Sequence, residues 1–303
     1  MRLYSWLVRA FITGGHGFVG RWLTMYLQEA GDTVYAPDSS VDVTNSEGIF
    51  EALADASPDV IYHLAAFTHV GQSWEHPEET FKVNALGTLH ILDAARRLKS
   101  SPIVLLVSSS EVYGAPTQES ALTESSPLAP ISPYAASKVA AEFLGVQAYL
   151  GYGLAVVRAR PFNHVGPGQT AEFAVSALAR RIVEAERDGL STIPVGNLTP
   201  RRDFTDVRDV VRAYRALAIK GKPGEVYNVC SGQDIAISDI VQLLLEIAGV
   251  SVDAVVSPEL VRPVDIPTIR GDASLITATT GWKPEIPLTD TLADVLNYWR
   301  THL

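Results

Sequence analysis

Cysteine is almost missing from this chain: Cys230 stands alone among 303 residues. That excludes an internal disulfide. Cys230 lies in the apolar segment VYNVC and reads as a buried, reduced, inert thiol. Positive charge is also scarce: 24 Lys plus Arg face 34 Asp plus Glu, for a net charge of −10. Nucleic acid and anionic membranes both require a basic surface, so neither is an expected partner. A negatively charged substrate would have to be gripped by a few placed arginines. Long hydrophobic runs are lacking as well. The N-terminal LYSWLV is broken by Arg9, too short to span a membrane, and no small-residue cleavage site follows. The expected location is therefore the cytoplasm. The residues before VRAFITGG read equally as a strand extension or a start-site artefact. There is no internal repeat and no low-complexity segment.

What is present, 47% hydrophobic and 19% charged residues, suits a compact enzyme with a large core, in one large domain or two. RAFITGG, DTVYAP, DVIYHLAA, PIVLLVSSS and GLAVVRARP read as strands. Between them, 19–30, 46–54, 78–99 and 133–151 carry apolar residues at helical spacing. Alternation of apolar strands with helices predicts an α/β fold with a doubly wound parallel (Rossmann) sheet. After about residue 165, helical stretches at 173–188, 207–220, 238–248 and 288–300 alternate with loops rich in Pro, Gly and Arg. They predict a smaller C-terminal α/β lobe for the substrate. The expected division is 1–165 and 166–303, with the strand-like GEVYNVCSG crossing back to the first domain.

TGGHGFVG falls between the first strand and the first helix, with Gly14, Gly17 and Gly20 in GxxGxxG spacing. Such glycines allow a tight turn, approach of a pyrophosphate to backbone N–H groups, and close helix–strand packing. A ligand-free glycine turn is the plainer reading, but the position at the first strand–helix junction favours a dinucleotide. Asp38 ends the second strand candidate, where a carboxylate would take the ribose 2′-OH and favour NAD over NADP. A surface turn in PDSS is the competing reading, because only a short segment joins Asp38 to Asp42 and Val43, the plausible adenine contacts. Tyr134 and Lys138 form a Y-x-x-x-K pair on one helical face. An ammonium beside a phenol stabilises phenolate and would bring its pKa toward working pH. An amphipathic helix with a surface lysine is the bland alternative. Pro133 at a helix start and a hydroxyl-bearing strand end upstream weigh against it. In that strand end Ser109 would hydrogen-bond the same substrate oxygen, while Ser108 and Ser110 read as turn or backbone-capping hydroxyls.

Together TGGHGFVG, HLAA (63–66), VNALGT (83–88), SSSEVYG, SPYAASK and RPFNHVGPGQ resemble the extended short-chain dehydrogenase/reductase superfamily, in its nucleotide-sugar branch. The resemblance runs to RPVDIPTIRGDASLITATTGWKPEIPL and so covers essentially the whole chain. It implies that Ser109, Tyr134 and Lys138 are catalytic and that Asn84 supports the lysine. It places NAD or NADP against Gly14, His16, Gly17, Phe18, Val19, Gly20, Leu64, Ala65, Ala66, Val107 and Pro161, with His63 and the 161–163 segment on the nicotinamide side. For a nucleotide-sugar substrate it implies Ser110, Glu111, Asn163, Arg180, Arg202, Arg262 and Asp265. Arg202 and Arg262 would grip the diphosphate, for which guanidinium forks are suited. Arg181 would assist Arg180, and His164 reads as structural. No metal is expected. Relatives in this branch commonly pair through two helices, here 78–99 and 133–151, so a homodimer is expected.

Three reactions share this scaffold. A 4,6-dehydratase needs a base at C5, the position implied for Glu111; a 4-epimerase needs none; a 4-ketoreductase needs only hydride and a proton. The arginine- and glycine-rich segment that dehydratases of the branch carry after their RxxN strand is absent. FNHVGPGQTAEFAVSALARRIVEAE and VGNLTPRRDFTDVRDVVRAY resemble instead the bacterial reductases of GDP-4-keto-6-deoxy sugars, which also carry the glutamate. The expectation is an NAD(P)H-dependent reductase that makes GDP-D-rhamnose. The same-scaffold dehydratase or epimerase is the alternative, and a non-catalytic dinucleotide-sensing regulator is the alternative of another class.

Overall fold

The computed structural model describes residues 8–38, 41–116, 120–260 and 266–303. The first half runs β1 (Arg9–Thr13), α1 (Phe18–Glu29), β2 (Thr33–Tyr35), α2 (Ser46–Ala56), β3 (Val60–His63) and α3 (Pro77–Phe81). A π-helical turn, Lys82–Leu86, carries α3 into α4 (Gly87–Arg97), and β4 (Ile103–Val107), α5 (Pro133–Tyr152) and β5 (Val156–Pro161) follow. The second half adds β6 (Asn163–Val165), α6 (Ala174–Asp188), β7 (Thr192–Val195), β8 (Arg201–Asp206), α7 (Val207–Lys220) and β9 (Val226–Val229). It ends with β10 (Asp234–Ala236), α8 (Ile237–Ala248), β11 (Asp253–Val256), β12 (Thr268–Ile269), α9 (Ser274–Thr280) and α10 (Leu288–His302).

A six-stranded sheet in the order β2-β1-β3-β4-β5-β9, parallel throughout, forms the Rossmann body. Its strands are apolar on both sides because helices cover both faces. Leu23, Leu27, Val210, Tyr214 and Leu217 of α1 and α7 pack on one face; Ile49, Leu53, Ile91 and Leu92 of α2 and α4 pack on the other. Strand order reverses between β1 and β3, which opens a ligand crevice at their carboxyl ends. The chain re-enters this sheet as β9, and α7 covers its face, so residues far beyond 165 complete the first layer.

The lobe is built on β8, which pairs with β6, β10 and β12, and on the β7–β11 pair. Its separate core joins Leu178, Ile182, Ile240, Leu244, Leu292 and Leu296 of α6, α8 and α10. Asp203 on β8 fastens it to the end of β9, accepting hydrogen bonds from Ser231 N, Ser231 Oγ, Gly232 N and Gly271 N. The 78–99 stretch is not one regular helix, since the π turn interrupts it; such turns recur at functional sites.

Candidate active site

The glycine loop is built by contact distances that leave no room for side chains. Gly14 has φ +70°, and a Cβ there would meet the Ala65 nitrogen at 2.9 Å; on Gly20 it would lie 2.1 Å from the Gly14 carbonyl oxygen. α1 therefore starts flush against β1, capped at Gly17, with its first-turn N–H groups open toward the crevice. Phe18 stacks on His164 across the crevice, ring centroids 6.2 Å apart, and Val19 packs into the core. His16 is exposed beside the loop.

At the end of β3, His63 is locked as a neutral ring. Burial, aided by the Lys138 charge, pushes its pKa down to about 3. Its Nε2 lies 3.0 Å from Thr88 Oγ1, which itself donates to the Asn84 carbonyl, so Nε2 carries the proton. Nδ1 then accepts from Thr13 Oγ1 at 2.8 Å, and Thr13 Oγ1 accepts from Ala65 N. This chain sets the Leu64–Ala65–Ala66 loop against the glycines.

α5 begins where Ser132 accepts from Ala135 N and Ser73 accepts from Tyr134 N, so the N–H of Tyr134 itself is pinned from the β3–α3 loop. The Tyr134 phenol is buried, and burial pushes its pKa up to about 12; a hydrogen bond with Ser109 pulls the other way, and the Glu111 charge raises it. Ser109, Glu111 and Tyr134 thus converge. Lys138 Nζ donates to the Val107 carbonyl at 3.0 Å and lies 6.0 Å from the Tyr134 ring centroid. Burial drives its pKa down to about 8 while Glu142 raises it. The phenol pKa is not lowered as expected: desolvation outweighs the Ser109 hydrogen bond, and Tyr134 keeps its proton at neutral pH. Asn84 sits in the π turn and binds Ser137 Oγ and both backbone groups of Phe67, so it braces the lysine's helix rather than Lys138 directly.

Residues 39–295 match the family model for GDP-mannose 4,6 dehydratase. The chain belongs to this family. It is 38% identical to the GDP-6-deoxy-D-mannose reductase of Pseudomonas aeruginosa, over 97% of this chain and 98% of that protein. It is 27% identical to the GDP-mannose 4,6-dehydratase of Yersinia enterocolitica, over 95% and 92%. The solved structure of RMD from Pseudomonas aeruginosa with NADPH superposes with a TM-score of 0.90 at 36% identity, covering 98% of this chain and all of that one. As a member of this family, the chain is an NAD(P)-dependent extended short-chain dehydrogenase/reductase.

The loop of Gly14 and Gly20 against Ala65 fits a dinucleotide, because backbone packs too closely there for any side chain. Asp38 does not end β2, which stops at Tyr35; it is exposed in the following loop. Asp42 accepts from Thr44 N and Oγ1, and those hydrogen bonds lower its pKa. The Val43 side chain belongs to the core, packed on Gly87, which leaves only its backbone for an adenine. Pro161 closes β5, and Asn163 opens β6 with its side chain exposed. Arg202 donates to the Ile266 carbonyl at 2.6 Å. Arg262 and Asp265 lie outside the described residues.

Arg180 pairs with Glu184 at 2.8 Å and lies over the Trp299 ring of α10, while Arg181 binds the Pro194 carbonyl. Ser110 is buried in the short turn Ser110–Tyr113. Ser108 is not a backbone cap: it donates to Glu142 Oε1 at 2.5 Å. Sequence reasoning missed Glu142, Arg160 and Ser73. Spacing alone hinted at Glu142, which continues the Tyr134–Lys138 stripe by one more turn. Among the described residues, no group of three or more His, Cys, Asp or Glu is placed to hold a metal ion, and no helix is long and apolar enough to cross a membrane.

Proposed function

We propose that the protein is an NAD(P)H-dependent 4-ketoreductase of a GDP-linked 4-keto-6-deoxyhexose, forming GDP-D-rhamnose from GDP-4-keto-6-deoxymannose. The observation that carries this reading is the buried phenol of Tyr134, hydrogen-bonded to Ser109 and held in its protonated form by burial. Ser109 and Tyr134 polarise the C4 carbonyl, and Tyr134 delivers its proton to the oxygen as charge develops there. Lys138 stands behind it as an ammonium and stabilises the phenolate left after transfer. The nicotinamide, when bound, supplies the hydride. Glu111 faces the same phenol and contacts the sugar; it acts as a base only in a dehydratase. Arg202, with Arg262 and Asp265, would hold the nucleotide diphosphate and ribose. Asp38 favours NADH, and comparing initial rates with NADH and NADPH tests that preference.

The reading is tested by incubating the protein with GDP-4-keto-6-deoxymannose and reduced cofactor, and separately with GDP-mannose and no reduced cofactor. Loss of absorbance at the nicotinamide band in the first mixture, with no 4-keto product in the second, is expected. A 4-keto-6-deoxy product in the second, abolished by Glu111→Gln, would establish the dehydratase instead.

We also propose a homodimer through α4 and α5. These neighbouring helices and the π turn that leads into α4 expose Leu86, Leu89, Phe143 and Leu150, the last 74% accessible. Phe143 and Leu150 stand two turns apart on one face, an apolar display that a monomer has no use for. The double change Phe143→Glu/Leu150→Lys is expected to halve the sedimenting mass while leaving the melting temperature within a few degrees; an unchanged mass would remove α5 from the interface.

A further inference from the structure

Tyr134, Lys138 and Glu142 recur at one-turn intervals on α5 and so share one face. The Glu142 carboxylate is 1% exposed, a costly place for a charge unless it is paired and hydrogen-bonded. Its partners arrive from two strands. Arg160 on β5 binds it as a fork, Nε to Oε1 at 2.9 Å and Nη2 to Oε2 at 2.7 Å. Ser108, just past β4, donates to Oε1, and Arg158 Nη1 lies 3.6 Å from Oε2. Behind the fork, Arg160 Nη1 donates to Tyr113 Oη and the Glu124 carbonyl, and Tyr113 donates to Asn228 on β9. Burial opposes the Arg160 charge, but the hydrogen bonds and charge of Glu142 more than offset it and raise its pKa.

The network joins the elements that carry the site. Ser108 precedes Ser109, Arg160 precedes Pro161, and Glu142 follows Lys138 by one turn. A packed apolar pair would serve stability as well. It would not put a negative charge one turn from the lysine. We infer that Glu142 is a positioning residue for the reaction, holding Ser109 in register with Tyr134 through Ser108 and keeping Lys138 in its ammonium form. The role in turnover rests on the ketoreductase reading; the protonation state of Lys138 does not.

The groups facing Lys138 define the electrostatics. Its own helix supplies Tyr134 and Glu142, β3 supplies the neutral His63, and the end of β4 supplies the Val107 carbonyl. From β5, Arg158 and Arg160 stand behind Glu142, and Glu111 acts on the phenol. The arginines disfavour a second cation, and Glu142 is the charge that sustains it. Removing Glu142 therefore moves the loss of the ammonium to lower pH, and the unpaired Arg160 pushes in the same direction.

The test follows the Lys138 side-chain nitrogen by 15N NMR across pH, assigned with Lys138→Arg, alongside kcat–pH profiles on GDP-4-keto-6-deoxymannose. Glu142→Gln is expected to lower the midpoint by about one pH unit, giving about fivefold loss of kcat near pH 8, approaching tenfold at higher pH, and little near pH 6. Glu142→Gln/Arg160→Met removes the Arg160 charge that Glu142→Gln alone would orphan in the core, while Arg158 keeps its bond to the Gly224 carbonyl, and it should show a smaller shift, still downward. Ser108→Ala should lower kcat evenly at all pH with the midpoint unmoved, as a purely structural tie would. An unmoved midpoint in both Glu142 variants overturns the inference. A moving midpoint in a protein without turnover on this sugar overturns the ketoreductase reading and leaves the Lys138 assignment standing.

Discussion

Tyr134→Phe is expected to lower kcat for the keto sugar by about 10²–10⁴-fold, the usual worth of a positioned general acid, while the cofactor dissociation constant changes by less than about threefold. Phenylalanine keeps the ring that fills this buried position and removes only the hydroxyl. Ser109 remains to bind the carbonyl oxygen, and Lys138 keeps its bond to the Val107 carbonyl. What disappears is the proton that must reach the oxygen as hydride arrives at carbon. Because burial holds the phenol pKa near about 12, the wild-type donor is fully protonated at neutral pH, so the loss should be the same from mildly acidic to neutral solution. Single-turnover kinetics and a cofactor titration separate the two quantities. Near-wild-type turnover would mean that the proton comes from elsewhere.

Gly20→Ala is expected to abolish tight dinucleotide binding. The new Cβ would lie 2.1 Å from the Gly14 oxygen and 2.7 Å from Cα and C of Gly15, all backbone atoms that cannot rotate aside. Either α1 backs away from β1 or the loop distorts, and in both cases the N–H groups no longer converge. A cofactor dissociation constant raised about 100-fold or more, with an overpacking cost of about 1–3 kcal/mol in stability, is the expected result. Gly189→Ala is the matched control. Gly189, unlike Gly20, ends a helix at positive φ, +67°, and its Cβ would meet nothing within 4 Å. It should cost about 1–2 kcal/mol through backbone conformation alone and leave cofactor binding unchanged. Equal effects of the two changes would mean that the glycine loop is not the cradle.

Much of the Rossmann body is legible in the sequence because its signals are local. Apolar runs with intervening helical periods mark β1 to β5, and the 207–220 stretch matches α7 residue for residue. The glycine spacing and the Tyr134–Lys138 interval work the same way, since each needs only one turn or one helix. The lobe was less readable. Its strands are short and pair across long separations, as β8 does with β6, β10 and β12. Their partners, not their own composition, stabilise them.

By itself the sequence determined the class of fold, the glycine cradle and the Tyr–Lys pair, because those depend on periodicity and on neighbours a few residues apart. Only the tertiary structure decided what surrounds them. It turned Arg180 toward Trp299, buried the Val43 side chain, and put Glu142, Arg160 and Ser108 in contact across 18 and 34 residues of chain. It also set the balance at Tyr134, where desolvation, aided by the Glu111 charge, outweighs the Ser109 hydrogen bond. Burial and long-range pairing are properties of the packed chain, and no spacing rule encodes them.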